Sequence, residues 1–203
     1  SLPGCQHDFT QTADGTSFAA GWYDEQLSFD LGSTPYGFTV QNWSGGISYA
    51  DKFGVTGWRL TASRRPLSNS LLSFAGAKDP RTQTKWGGVM ANGGALGLSW
   101  DQGGANGVWM DISHHQLKGK NVADNNRTRL MAGYYRRLIN TANERLTLGV
   151  NSMYWHYQKD LGEYTLGHGG YYSPQRYNSL ALPVSYAKRT VDWSYVVEGS
   201  VSI

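Results

Sequence analysis

Three observations predict an all-β fold for this 203-residue chain: an antiparallel outer-membrane β-barrel of which about ten strands are present. Apolar and polar residues alternate over segments longer than the roughly five or six residues usual for a soluble strand. Helical periodicity is missing, and the connections between segments alternate short and long. The segment "VDWSYVVEGSVSI" shows the alternation. Val191, Trp193, Tyr195, Val197, Val201 and Ile203 share one parity, and Asp192, Ser194, Glu198, Ser200 and Ser202 share the other. Successive strand side chains point to opposite faces, so this piece has one apolar and one polar face.

The same test places strands at 16–23, 26–33, 37–50, 53–65, 84–101, 106–117, 127–139, 144–158, 176–188 and 191–203. In the third, a parity slip between Val40 and Trp43 predicts a bulge. The fifth, "KWGGVMANGGALGLSWD", has a hairpin-like Asn92-Gly93 pair. Yet Trp86, Met90, Leu96, Leu98 and Trp100 keep one parity, which predicts one long strand with a Trp near each end. Aromatic girdles at two membrane interfaces need that spacing. In the sixth, Val108, Met110 and Ile112 oppose Gly107, Asp111 and Ser113. In the eighth, Leu146, Leu148, Val150, Tyr154 and His156 oppose Arg145, Thr147, Gly149, Asn151 and Tyr157. In the ninth, Leu180, Leu182, Val184 and Tyr186 oppose Ser179, Ala181, Ser185 and Ala187.

The connections run "PLSNSLLSFAGAKDPRTQT" (long), "QGGAN" (short), "KGKNVADNN" (longer), "NTAN" (short), "DLGEYTLGHGGYYSPQ" (long) and "RT" (short). Bacterial barrels have short periplasmic turns and longer extracellular loops. The tight turns near Asp51, Gly103, Thr141 and Thr190 are therefore expected in the periplasm. The last strand then runs outward and the first inward, so 1–203 is expected to be one domain that is part of a larger barrel. Ten strands with two open edges would otherwise invite aggregation.

Composition removes other classes. No window approaches the roughly 18 apolar residues of a membrane helix. The mean hydropathy of −0.48 fits a barrel whose polar lumen dilutes its lipid face. A net charge of +3 with scattered Lys and Arg gives no nucleic-acid footprint. The start "SLPGCQHDF" has no basic stretch followed by an apolar run. The lone Cys5 excludes an internal disulfide framework and a cysteine zinc site. His114 and His115 point to opposite faces of a strand and cannot chelate one metal together. Asp101 and Asp111 are scattered acids of a polar interior rather than a hydrolytic pair, and no nucleophile elbow, phosphate loop or dinucleotide fingerprint occurs. The expectation is no enzyme, no cofactor and no metal.

Three stretches carry a resemblance: "RRPLSNSLLSFAGAKDP" (Arg64–Pro80), "WGGVMANGGALGLSWD" (Trp86–Asp101) and "GHGGYYSPQRY" (Gly167–Tyr177). In this order they resemble the C-terminal domain of the bacterial cellulose synthase operon protein C family, from about residue 40 to the end. The resemblance implies a sixteen-stranded outer-membrane barrel that exports cellulose. It also implies a periplasmic array of tetratricopeptide repeats, and no helical repeat of about 34 residues is found here. The implied partners are the cellulose chain, outer-membrane lipid and, through the missing periplasmic region, the inner-membrane cellulose synthase complex.

Cellulose is neutral, hydroxyl-rich and flat, with apolar C–H faces. A conduit for it needs exchangeable hydrogen bonds and aromatic rings, and must not bind so tightly that the polymer stalls. Parity places Trp109, Tyr135, Trp155 and Tyr157 on the lumen side, with Arg59, Asp101, Asp111, Arg129, Arg137, Arg145, Asp192 and Glu198. These are the candidate sugar-facing residues. The plainer account is that barrel interiors are polar anyway and that opposite charges on neighbouring strands pair. Trp58, Trp86, Trp100, Trp193 and Tyr195 are expected to face lipid. In the loop "GHGGYYSPQRY", Gly167, Gly169 and Gly170 permit positive φ, and Tyr171, Tyr172 and Gln175 are candidates to touch the emerging polymer. Two alternatives stand beside this reading. One is a barrel for another polysaccharide or for small solutes. The other is a soluble carbohydrate-binding β-sandwich, whose turns would recur every ~8–12 residues.

Overall fold

The computed structural model describes residues 11–203; Cys5 and its surroundings lie outside the described residues. The elements are β1 (Ala19–Tyr23), β2 (Leu27–Ser33), β3 (Trp43–Phe53), β4 (Thr56–Pro66), α1 (Leu71–Ala75), β5 (Ala77–Lys78), β6 (Lys85–Asp101), β7 (Asn106–Lys120), β8 (Asn125–Asn140), β9 (Glu144–Tyr157), β10 (Tyr177–Arg189) and β11 (Ser194–Ser202). Apart from β5, which pairs with the start of β6, the strands lie side by side in chain order in one antiparallel sheet. β1 and β11 are its outer edges and do not pair with each other, so the sheet is open rather than closed. No helix among the described residues is long and apolar enough to cross a membrane.

Residues paired directly across antiparallel strands share a face, so the register carries each face through the whole sheet. One row runs Trp58, Leu98, Met110, Ala132, Ser152 and Leu180. The next row on that face runs Tyr49, Leu60, Leu96, Ile112, Leu130 and Tyr154. This face stays uncovered: Leu60 is 52% exposed, Leu182 56% and Val201 71%. Exposed apolar surfaces of that extent mark an interaction face for a protein, a ligand or a membrane. The opposite face holds Arg59, Gly97, Asp111 and Met131 in one row and Ser99, Trp109, Gly133 and Asn151 in another.

At one end the connections are tight: 24–26, 54–55, 102–105, 141–143 and 190–193. In the first, the Asp24 carboxylate accepts the backbone N–H groups of Leu27 and Gln26 at 2.7 and 2.8 Å, which holds its pKa below the ordinary value. At the other end, 67–84 and 158–176 are long. Both fold onto the polar face. Leu67, Ala91, Leu117 and Tyr157 pack there with Val89, Leu161 and Tyr171 in one buried cluster. Inside it Asn125 Nδ2 donates to Lys159 O at 2.8 Å and to the Tyr171 hydroxyl at 3.2 Å, and its Oδ1 accepts the Lys159 N–H. Burial pushes the Tyr171 phenol up to about 12.

Several expectations need correction. The third strand is Trp43–Phe53, not 37–50, and its tight turn is at 54–55 rather than near Asp51. Val40 is buried off the sheet, its N–H bonded to Ala75 O at 2.9 Å, so the expected bulge is instead the entry of the strand. β6 is one long strand, but its register shifts between Gly87 and Met90, where Gly87 and Gly88 have φ of 95° and 60°. The shift takes Trp86 out of the apolar row. It packs with Leu72 of α1 and Ala77 and is no girdle residue. The expected longer connection after β7 shrinks to 121–124 because both flanking strands extend to meet it. The last strand begins at Ser194. Asp192 and Trp193 sit in the turn that Thr190 closes onto Trp193, so neither belongs to a strand face. At the first strand, Thr16 makes only an isolated bridge to Tyr36.

Two outcomes follow. A Cβ added at Gly88 would lie 2.6 Å from Val40 Cβ in a backbone conformation that side chains rarely adopt. Gly88→Val is expected to cost about 2–4 kcal/mol, read as a lowered denaturant midpoint of the refolded protein in detergent. For Tyr171, the folded pKa is raised, so its contribution is present below the ordinary phenol value near 10 and is lost as pH rises towards about 12. Protease cleavage within 158–176 should therefore rise over that window. In Tyr171→Phe the ultraviolet titration should lose one late-ionising phenol, and cleavage should lose this part of its pH dependence.

Candidate functional site

The polar face is built from alternate residues of β2 to β11, and missing side chains shape it. A Cβ at Gly133 would fall 2.3 Å from Trp109 Nε1, and one at Gly107 would fall 2.1 Å from the Tyr135 ring. Each ring therefore occupies the space that a side chain on the neighbouring strand's glycine would fill, and both rings are half-buried. Beside Trp109, the side chains of Arg59, Ser99 and Asp111 stand around Gly57 and Gly97 and line a groove of about 710 Å³.

Two ion pairs brace this face. Arg137 forms a bidentate pair with Asp101 (3.1 and 2.5 Å) and donates to Gly104 O at 2.7 Å, while the Tyr135 hydroxyl donates to the same carboxylate at 2.5 Å. That knot ties the 102–105 turn to β8 and fixes the Tyr135 ring. Arg65 reaches across β3 to hold Asp30 of β2 with two bonds of 2.5 Å, passing over Gly46. Planar guanidinium–carboxylate forks of this kind add geometric specificity that a lysine would not.

Of the residues singled out from parity, Arg59, Asp101, Trp109, Asp111, Arg129, Tyr135, Arg137, Arg145, Trp155, Tyr157 and Glu198 share the polar face. Asp192 does not, as its turn removes it. Tyr157 is on this face but only 3% exposed, sealed beneath the 158–176 connection, and cannot itself meet a ligand. Tyr171 is likewise buried, which corrects its placement as a surface contact, whereas Tyr172 is 57% exposed. Gln175 is exposed, and its carbonyl is 2.6 Å from His156 Nδ1. Among the described residues no group of three or more metal-ligating side chains is present. His114 bonds Thr128 on the apolar side, while His115 lies on the polar side.

Sequence reasoning missed Asp30 and Arg65, and also His115 and Arg127, which lie directly opposite each other between β7 and β8. The signal was available, because His115 shares parity with Trp109 and Arg127 with Arg129. The strand expected from 127 begins at Asn125, so Arg127 lies inside it.

The family model described as cellulose synthase operon protein C C-terminus matches residues 3–203. The cellulose synthase operon protein C of Salmonella typhimurium is 53% identical over 204 residues, covering 100% of this chain and 17% of that protein. That of Escherichia coli strain K12 is 51% identical over 204 residues, covering 100% of this chain and 18% of that protein. The Xanthomonas axonopodis pv. citri protein is 40% identical over 199 residues, covering 96% of this chain and 13% of that protein. The chain thus spans less than a fifth of the length of these relatives. With a match from residue 3 to residue 203, the chain belongs to the cellulose synthase operon protein C family, in the region that its model describes as the C-terminus.

Proposed function

We propose that this sheet is part of a β-barrel in the outer membrane, and that its polar face lines a passage through which cellulose leaves the cell. The observation that carries the reading is the division of one long-stranded sheet into two faces. The exposed apolar face offers Ile47, Leu60, Val108, Ile112, Leu148, Leu182 and Val201 to lipid. The polar face offers Trp109 and Tyr135, each seated over a glycine, with Arg59 and Asp111 beside the first and Asp101 and Arg137 beside the second. β6 to β10 have 17, 15, 16, 14 and 13 residues, beyond the ~9–11 that cross a bilayer. The family belongs to cellulose biosynthesis, which gives the polymer.

The passage is passive. Flat rings meet the C–H faces of successive glucose units, and the polar groups exchange hydrogen bonds with hydroxyls, so that no single position holds the chain. The force comes from polymer synthesis elsewhere, and the partner is the synthesis machinery that the family's name denotes. The role is that of a conduit, without catalysis or cofactor. Closure of the sheet needs strands beyond those described, and β1 and β11 are the edges to which they would add.

Two experiments test this on the full-length protein. Val184→Arg, on the apolar face, is expected to cost about 2–4 kcal/mol of folding stability in lipid, whereas Ser185→Arg on the polar face should cost far less. Equal costs would exclude lipid as the phase that the apolar face meets. In cells deleted for the gene, Trp109→Ala with Tyr135→Ala should restore several-fold less surface cellulose than wild type while keeping the heat-dependent SDS gel shift of a closed barrel. Full export by that variant would remove the rings from the mechanism, and loss of a different polymer on deletion would change the cargo.

A further inference from the structure

The polar face carries a second group of residues, nearer the long connections, whose hydrogen bonding is incomplete. Arg127 Nε, Trp155 Nε1 and His115 Nδ1 are all buried and have no partner among the described residues. His115 is 7% exposed and faces Arg127 directly across β7 and β8. Arg129 is one same-face step along, opposite Ser113 and Trp155. Its guanidinium lies 5.8 Å from the centre of the Trp155 ring, and its Nε donates a single long bond of 3.4 Å to Ser113 Oγ.

These two arginines differ from the pair that braces the face. Arg65 and Arg137 each hold an acid at 2.5 Å, but no ion pair involves Arg127 or Arg129 among the described residues. Two guanidiniums on adjacent same-face positions repel one another, and the buried donors beside them remain unsatisfied, at a cost that a ligand of the right charge would remove. Hydroxyls of a neutral sugar would satisfy single donors but leave the repulsion. A planar or tetrahedral oxyanion satisfies both, through bidentate bonds from the arginines and single bonds from Trp155 Nε1 and the His115 ring.

We propose that Arg127 and Arg129, with Trp155 and His115, form an oxyanion-binding step in the passage, just beneath the 67–84 and 158–176 connections, that takes a carboxylate or phosphate group. The proposal rests on the reading of this face as a polysaccharide path. The anion is either carried on the polymer or free in solution, and in both cases the step makes the path selective for charge where Trp109 and Tyr135 are indifferent to it.

The test is calorimetric titration of the full-length protein in detergent, at constant ionic strength, with three probes: cellohexaose, a cello-oligosaccharide of the same length bearing a carboxylate, and inorganic phosphate. The carboxylated oligosaccharide is expected to bind at least about ten-fold more tightly than cellohexaose. Arg127→Gln with Arg129→Gln should abolish that preference and bring the two oligosaccharides to the same affinity. Arg127→Lys with Arg129→Lys, which keeps the charge but not the fork, should retain part of it and covers the case in which the Gln variant does not fold. If phosphate alone binds and competes with the carboxylated probe, the free ion is a natural occupant. If phosphate does not bind, the group is one borne by the polymer. Equal affinity for the two oligosaccharides in wild type, with no phosphate binding, overturns the proposal. Binding of the charged probes without any binding of cellohexaose would instead strike the cellulose reading and leave the anion site standing.

Discussion

Everything on this sheet depends on the backbone register that links ten strands in chain order. Side chains alternate with a period of two, so one slipped residue in one strand would send its whole apolar set to the wrong face. The register is kept from β2 to β11, and the apolar row Tyr49, Leu60, Leu96, Ile112, Leu130 and Tyr154 crosses six strands without interruption. Where it shifts, the shift is confined. Between Gly87 and Met90 it precedes the part of β6 that pairs with β4, and between Arg137 and Ile139 it follows the part of β8 that carries Tyr135 and Arg137. Both irregularities lie at strand ends, so the central rows stay aligned.

That dependence explains what was legible in the sequence. Long two-faced strands disclose themselves through parity alone, and for that reason Leu180, Leu182 and Val184, or Val108, Met110 and Ile112, could be assigned without a structure. What parity could not show were the residues whose position is set by something other than the pleat. Trp86 has the right parity for the apolar row, yet two positive-φ glycines turn the chain before the row begins, and the ring is recruited by Leu72 and Ala77. Asp192 continues the alternation of β11, but hydrogen bonds between Thr190 and Trp193 place it in a turn. Tyr171 sits in a glycine-rich loop that reads as exposed, while Asn125, far away in sequence, offers its buried hydroxyl a partner. For Trp86 and Tyr171 a contact distant in sequence overrode the local pattern, and for Asp192 a tight turn did.

The two long connections show what the polar face must do at that end. They do not stand away from the sheet; they lay Leu67, Leu161 and Tyr171 onto Ala91, Leu117 and Tyr157, which belong by parity to the polar side. The apolar residues at the ends of these strands are therefore exceptions to the alternation for a reason. They form a small core between the sheet and its own loops, and they end the open part of the face just beyond Arg127 and His115. The aromatic rings over Gly107 and Gly133 lie towards the opposite, tight-turn end.

The charges on the polar face divide by the same logic. Arg65 with Asp30 and Arg137 with Asp101 join strands or turns, and each fork is made where a glycine or a turn leaves room for a long side chain to lie flat. Such pairs are already satisfied. They brace the sheet and present little net charge to anything passing over it. Arg127 and Arg129 lie within the sheet, with strands paired on both sides, and neither forms an ion pair among the described residues. On a partly buried face an unpaired charge acts over a longer range than in bulk water. Position along the strands therefore separates two groups of side chains: rings over glycines near the tight turns, which the proposed path would offer to a neutral sugar, and arginines without an ion pair near the loops, which it would offer to a charge.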